Sequence, residues 1–242
     1  MPEAWWLEMT PAVWGACALV LLLGALVQRV TGFGLAVVGA PLLLLLEPRL
    51  VPVILVIFGL LVSLMMVRRY SREIRLDAIG MALVGRLPGN ALGLWLLVAA
   101  PLVVLEKVIA LIVLSAVAIT LGRFRLPVNR ISLFGAGVVS GIFGTVAAIG
   151  GPPLALLLHG LPPDRLRGNL AAYFIVTASL TLALLALAGR VTLWHWQLAL
   201  SFLPAILAGH LLGAWLAPRL NARVIQSASL TVCTLAALVL LL

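Results

Sequence analysis

The chain has 242 residues, of which 64% are hydrophobic and 10% charged, with a mean hydropathy of +1.26. That composition cannot dress a soluble domain in a polar surface, so the chain belongs in a membrane. A formal charge of +9 does not point to nucleic acid, because nearly all the arginines stand in short loops between apolar runs, where they orient a membrane protein.

The apolar blocks are long enough for helices, whereas a barrel would show short alternating segments. MPEAWWLEMTP carries no basic segment ahead of the first apolar run, which argues against a cleaved signal peptide. Trp5, Trp6 and Trp14 suit a membrane interface. The run over residues 13–46 would be roughly 50 Å long as one helix, against a hydrocarbon core of about 30 Å. It must bend or fold back, and Gly32 and Gly34 mark the place. Helices are expected near 53–67, 78–99 and 102–121, with the basic loop RRYSREIR after the first of them and GRLPGNALGLW inside the second. A second unit, 123–242, follows the first, 1–122, with a broken run over 131–158 and helices near 169–188, 194–216 and 224–242. Cys17 and Cys233 lie inside apolar runs without metal-ligand spacing and read as core residues.

Two motifs recur. TGFGLAVVGAP, Thr31 to Pro41, returns as FGTVAAIGGPP, Phe143 to Pro153, with Gly32 on Gly144, Gly39 on Gly151 and Pro41 on Pro153 at a shift of 112. GNALGLWL, Gly89 to Leu96, returns as GHLLGAWL, Gly209 to Leu216, at a shift of 120. The fold expected is an all-α polytopic membrane protein of two inverted repeats of about 120 residues, each a Gly/Pro-broken helix or helical hairpin followed by three transmembrane helices. Gly89, Gly93, Gly209 and Gly213 have the spacing that lets membrane helices approach closely.

The arginines test the topology. If both broken runs are hairpins and the N-terminus is outside, Arg68, Arg69, Arg72, Arg75, Arg123, Arg125, Arg130, Arg165, Arg167, Arg219 and Arg223 collect inside. Only Arg49, Lys107 and Arg190 are then outside, with Glu3 and Glu8. If each run crosses once, that asymmetry nearly vanishes, so the positive-inside rule favours hairpins and inverted halves.

VQRVTGFG, GRLPGNALG and GGPPLALLLHGLPPDRLRGNL, in that order over nearly the whole chain, resemble the sulfite exporter TauE/SafE family, also called the sulfonate uptake permease family. The resemblance implies a multi-pass transporter of the bacterial inner membrane that carries sulfite or an organosulfonate.

The residues support an anion independently of that resemblance. Helix ends near Thr31, Gly32, Phe33 and Gly34, and near Gly144 and Thr145, are expected to point their N-termini at the midplane, where free amides attract negative charge. Ser140, Gly150 and Gly151 belong to the same glycine-rich stretch. Arg29 and Arg86 are cations inside apolar runs, with Gln28 beside the first, Asn90 one turn from the second, and His210 opposite Asn90 in the repeat. Arg165 and Arg167 read as loop charges, and His159 and His195 as interfacial. Every carboxylate falls in a loop or at a helix end, so no carboxylate relay is visible, and the membrane potential favours anion efflux. Small anions and the bilayer are the expected partners; no cofactor or metal is called for, and nothing indicates a homo-oligomer. The alternatives are a non-transporting scaffold, which glycine packing alone would serve, and an intramembrane serine protease. The latter is disfavoured because Ser140 lies in GVVSG, with Val138 where Gly-x-Ser-Gly needs glycine.

Overall fold

The computed structural model describes residues 9–75, 77, 79–122, 126–219 and 221–241. Trp5, Trp6, Glu3, Glu8, Arg123 and Arg125 lie outside the described residues, as does the Arg223 side chain. The described chain is helical: α1 Pro11–Thr31, α2 Leu35–Leu46, α3 Val53–Tyr70, α4 Gly80–Ala99, α5 Leu102–Leu121, α6 Arg130–Ala147, α7 Gly151–Leu158, α8 Pro163–Leu187, α9 Leu193–Leu216 and α10 Ala222–Leu241. Eight of these are long and apolar enough to cross a membrane; α2 and α7 are too short. Leu19, Trp95, Ile131, Leu187 and Leu200 are exposed on the outside, as lipid-facing positions should be. Helix α8 starts at Pro163 rather than near 169, because Pro163 suits a first helical position and Asp164 a first turn.

Both long runs are broken, and the chain reverses at each break. Helix α1 ends on Gly32, whose left-handed φ of 95° carries its N–H to Gln28 O at 2.8 Å. Gly34 has φ 138°, and a Cβ there would stand 2.6 Å from Val27 Cγ1. Leu35 then packs its backbone on Gly24, so three residues return the chain about two turns, roughly 10 Å, along α1. At the second break Ala148 adopts φ 60°, Ile149 N–H bonds Phe143 O at 3.1 Å, and Gly150 O is drawn back to Ser140 Oγ at 2.6 Å. The helix ends Thr31 and Ala147, the caps Gly32 and Ala148, and the restarts Leu35 and Gly151 each stand 116 positions apart. The matching glycines at a shift of 112 therefore occupy places one helical turn apart. Ala148, not Gly144, does the work of Gly32.

Glycines hold the long helices together in two parallel pairs. Gly85, Gly89 and Gly93 of α4 meet α6, where a Cβ on Gly89 would lie 2.2 Å from Val138 O and one on Gly93 2.9 Å from Thr145 Cβ. Gly209 and Gly213 of α9 meet α1 in the same way, at 2.1 Å from Leu22 O and 2.8 Å from Arg29 Cβ. Trp14, at the start of α1, donates Nε1 to Ser201 and stacks on Phe202 of α9.

Cross-links between helix ends define two faces. On the near face, where α1 begins, Arg49 lies over the Trp194 ring and its carbonyl is 3.2 Å from His195 Nε2, while Arg190 donates to Leu97 O. On the far face, where α1 ends, Arg165 pairs with Glu73, Asn169 Oδ1 accepts from Arg75 N–H, and Arg167 donates to Val30 O. Arg167, read from sequence as a loop charge, thus caps one carbonyl in the last turn of α1, that of Val30, through Nε and Nη2.

Close contact makes the glycine pairs intolerant of even a methyl group. Gly89→Ala and Gly209→Ala are each expected to cost about 1–3 kcal/mol by overpacking, whereas Gly135→Ala, which meets open space, leaves stability unchanged or raises it. Unfolding curves of the three variants in detergent check this.

Candidate functional site

The two breaks meet inside the helix bundle. A Cβ on Gly151 would stand 2.8 Å from Phe33 Cβ and 3.2 Å from the Phe174 ring, so one reversal sits directly on the other. Beside them is a cavity of about 50 Å³, lined by Gln28 and Gly34 from the first half, by Gly144 and Gly151 from the second, and by Thr177 and Thr181 of α8. Space on the order of a few water molecules is available there.

Helix α2 points its N-terminus at this cavity. No side chain caps it, and Val38 N–H is the first to find a partner within the helix, Gly34 O at 2.9 Å. Leu35, Ala36 and Val37, whose amides have no acceptor in the helix geometry, all line the cavity. Helix α7 starts beside the same cavity but differs chemically. Its first three residues are Gly151, Pro152 and Pro153, and prolines carry no N–H. Gly151 alone retains an amide there.

The second arm of the first break begins next to the expected 31–34, at Leu35, but these placements correct the expectation that the other begins near 144–147. Thr31 ends α1, but Gly34 is the N-cap of α2, so the first expectation holds to within a residue, whereas Gly144 and Thr145 lie in the last turn of α6 and the second arm begins only at Gly151. Thr31 Oγ1 is spent on Val27 O and Phe33 O, and Gly32 packs against Arg167 and Leu170 rather than the cavity. Thr145 is buried against Gly93 with Oγ1 unpartnered.

Arg86 supplies the charge. Only 3% exposed, it lies on the cavity wall. Nε donates to Asn90 Oδ1 at 2.9 Å, Nη1 to Ser140 Oγ at 2.7 Å and Nη2 to Thr181 Oγ1 at 3.3 Å. The guanidinium also lies over the Tyr173 ring, 5.8 Å from its centroid, and Tyr173 Oη donates to Ser140 Oγ at 2.9 Å. It fits because two residues lack side chains: a Cβ on Gly144 would come 2.2 Å from Nη2, and one on Gly150 2.4 Å from Nη1. All these acceptors are neutral. Among the described residues no carboxylate is buried, and the ion pairs belong to surface arginines. A guanidinium buried without a counter-charge costs several kcal/mol unless a ligand supplies one.

Of the residues singled out from sequence, Gln28, Phe33, Gly34, Arg86, Gly144 and Gly151 line the cavity, with Asn90, Ser140 and Gly150 immediately behind Arg86. Arg29 and His210 are not brought there. Arg29 instead reaches Tyr70 at the end of α3 and packs on Gly213 of α9, and His210 stands one turn before Gly213, within electrostatic range of Arg29. Tyr173, Thr177 and Thr181 escaped the sequence reading. Their signal was present, as polar side chains at i, i+4 and i+8 on one face of an apolar helix.

Eight helices long and apolar enough to span a bilayer, with a small and largely apolar cavity among them into which Gln28, Arg86, Thr177 and Thr181 bring polar groups, define a multi-pass membrane protein. The chain belongs to the sulfite exporter TauE/SafE family, whose description fits residues 17–240; its members are transporters, not enzymes. Comparison with the curated proteins and with the solved structures finds no match.

Burial predicts opposite signs for two hydroxyls in this site. Ser140 serves Arg86, Tyr173 and Gly150, so Ser140→Ala is expected to cost about 1–3 kcal/mol. Thr177 Oγ1 is buried without a partner, so Thr177→Val leaves the ligand-free protein as stable as before or more so, by about 1 kcal/mol. Denaturant unfolding in the absence of added anion measures both.

Proposed function

We propose that the protein carries small oxyanions, sulfite or an organosulfonate, through the cavity between the two breaks. The observation that carries this reading is the buried Arg86 guanidinium, which among the described residues has neutral acceptors only and lines the same cavity as the amide end of α2. A guanidinium fork and a helix N-terminus are complementary to an oxyanion's several acceptor oxygens. The small volume suits sulfite itself or the head group of a sulfonate.

The two halves act as inverted repeats in this reading. Support comes from the paired reversals at a shift of 116 and from the reciprocal packing, in which α4 of the first half docks on α6 of the second and α9 of the second on α1 of the first. Such an arrangement provides two related conformations that open to opposite sides. Arg68, Arg69, Arg72, Arg75, Arg165 and Arg167 gather on the far face, against Arg49, Lys107 and Arg190 on the near one. The far face is therefore cytoplasmic and the N-terminus outside, in a bacterial inner membrane.

Direction follows from charge. With no buried carboxylate among the described residues to relay a coupling ion, an inside-negative potential of 100 mV favours export of each negative charge by roughly 2.3 kcal/mol, about a fifty-fold gradient.

Liposomes containing the purified protein and loaded with sulfite are expected to release it faster under an inside-negative potassium diffusion potential. Arg86→Gln, kept monodisperse, should slow release at least ten-fold; unchanged flux in that variant would overturn the assignment of the site. Arg72→Cys is expected to react with an impermeant maleimide only from the cytoplasmic side and Lys107→Cys only from outside, native Cys17 and Cys233 being buried.

A further inference from the structure

A second polar cluster lies between α1, α3 and α9, on the far-face side of the cavity, and the proposed site does not use it. Arg29 is 7% exposed; its Nη1 donates to Tyr70 Oη at 3.4 Å and its guanidinium lies over the Tyr70 ring at 5.4 Å. Its Nε is buried with no partner. His210 is 6% exposed, its Nδ1 is likewise buried without a partner, and it lies near enough to interact electrostatically with Arg29. The Arg29 stem packs on Gly213, one turn beyond His210, where a Cβ would stand 2.8 Å from Arg29 Cβ. Arg69 and Arg167 add to the positive field around Arg29. No acidic side chain is paired with it among the described residues.

We infer that Arg29 and His210 form a second anion site, a staging post between the basic far face and the Arg86 cavity. This rests on the anion-transport reading above. A buried cation without a counter-ion and two buried nitrogens without partners, from adjoining helices, are the donors that an oxyanion would satisfy. The ring donates through Nδ1 in the tautomer that carries its proton there. Gln28, the residue before Arg29, already lines the cavity, so the two sites are neighbours along α1. Two sites of moderate strength also speed passage, since one very tight site would hold its ion.

Sulfite titrated calorimetrically into the full-length protein in detergent is expected to bind at two equivalents per chain. Arg29→Gln and His210→Leu should each leave one equivalent, and Arg86→Gln should leave the other. One equivalent in the parent, or loss of all binding in Arg86→Gln, overturns the second site while the cavity assignment stands. No binding at all by the parent overturns both. The parent's stoichiometry decides the matter even if a variant does not fold.

Discussion

A backbone that stops being helical inside hydrocarbon must have its amides and carbonyls answered by the protein or by what the protein holds. Both breaks meet that demand by the same route. The last turn closes on a left-handed residue, Gly32 or Ala148, and the chain returns along its own helix by about two turns before restarting. The freed groups are thereby moved from the membrane edge to the bundle centre. Gly150 O finds Ser140 Oγ, and Ser140 in turn receives Arg86 and Tyr173. The cation is thus fastened to the break itself, in a seat that only glycine at 144 and 150 leaves open.

That seat makes the two halves chemically unequal. Helix α2 offers the amides of Leu35, Ala36 and Val37, whereas Pro152 and Pro153 strip α7 of all but the Gly151 amide at the same depth. Arg86 stands where those donors are missing, against Gly150 and Gly144. At a shift of 120 its counterpart on α9 is Ile206, an apolar residue, so the first-half break has no matching cation on its partner helix. Backbone amides and a guanidinium line the same cavity. Both donors belong to the first half, and the second half contributes the glycines that seat the guanidinium.

Much of this was legible in the sequence, and the failures have physical causes. Length against bilayer thickness forced the breaks, and the i, i+4 spacing of Arg86 and Asn90 put them on one face, where they are bonded at 2.9 Å. The register of the repeat was misread because matching glycine to glycine follows residue identity, while the turn demands only a left-handed residue, which Ala148 supplies. The same error placed the second restart near Thr145, in the last turn of α6, rather than at Gly151. Arg29 and Arg86 looked alike as intramembrane cations, yet sequence distance cannot say which face of a helix bundle each side chain reaches. Tyr173, Thr177 and Thr181 were overlooked because hydroxyls cost little in an apolar run and carry no charge to draw notice.

The strengths of the contacts divide the molecule into parts that stay together and parts that can separate. The α4 with α6 and α1 with α9 pairs are locked by backbone-to-backbone approach at glycines, where sliding forces atoms into one another. The end clasps are of another order: Arg165 with Glu73 and Arg167 with Asp164 are exposed pairs, worth at most about 1 kcal/mol each. Arg167 on Val30 O and Arg49 on Trp194 join elements at opposite faces through single side chains. Opening either face therefore costs least if the two glycine-locked pairs move as units and one set of clasps lets go. Each locked unit contains one helix from each half, so such motion changes the relation between the α2 amides, which follow α1, and Arg86, which rides on α4. In the proposed transport cycle, an anion bridging those donors is held most tightly while both faces are closed, and its grip loosens as either one opens.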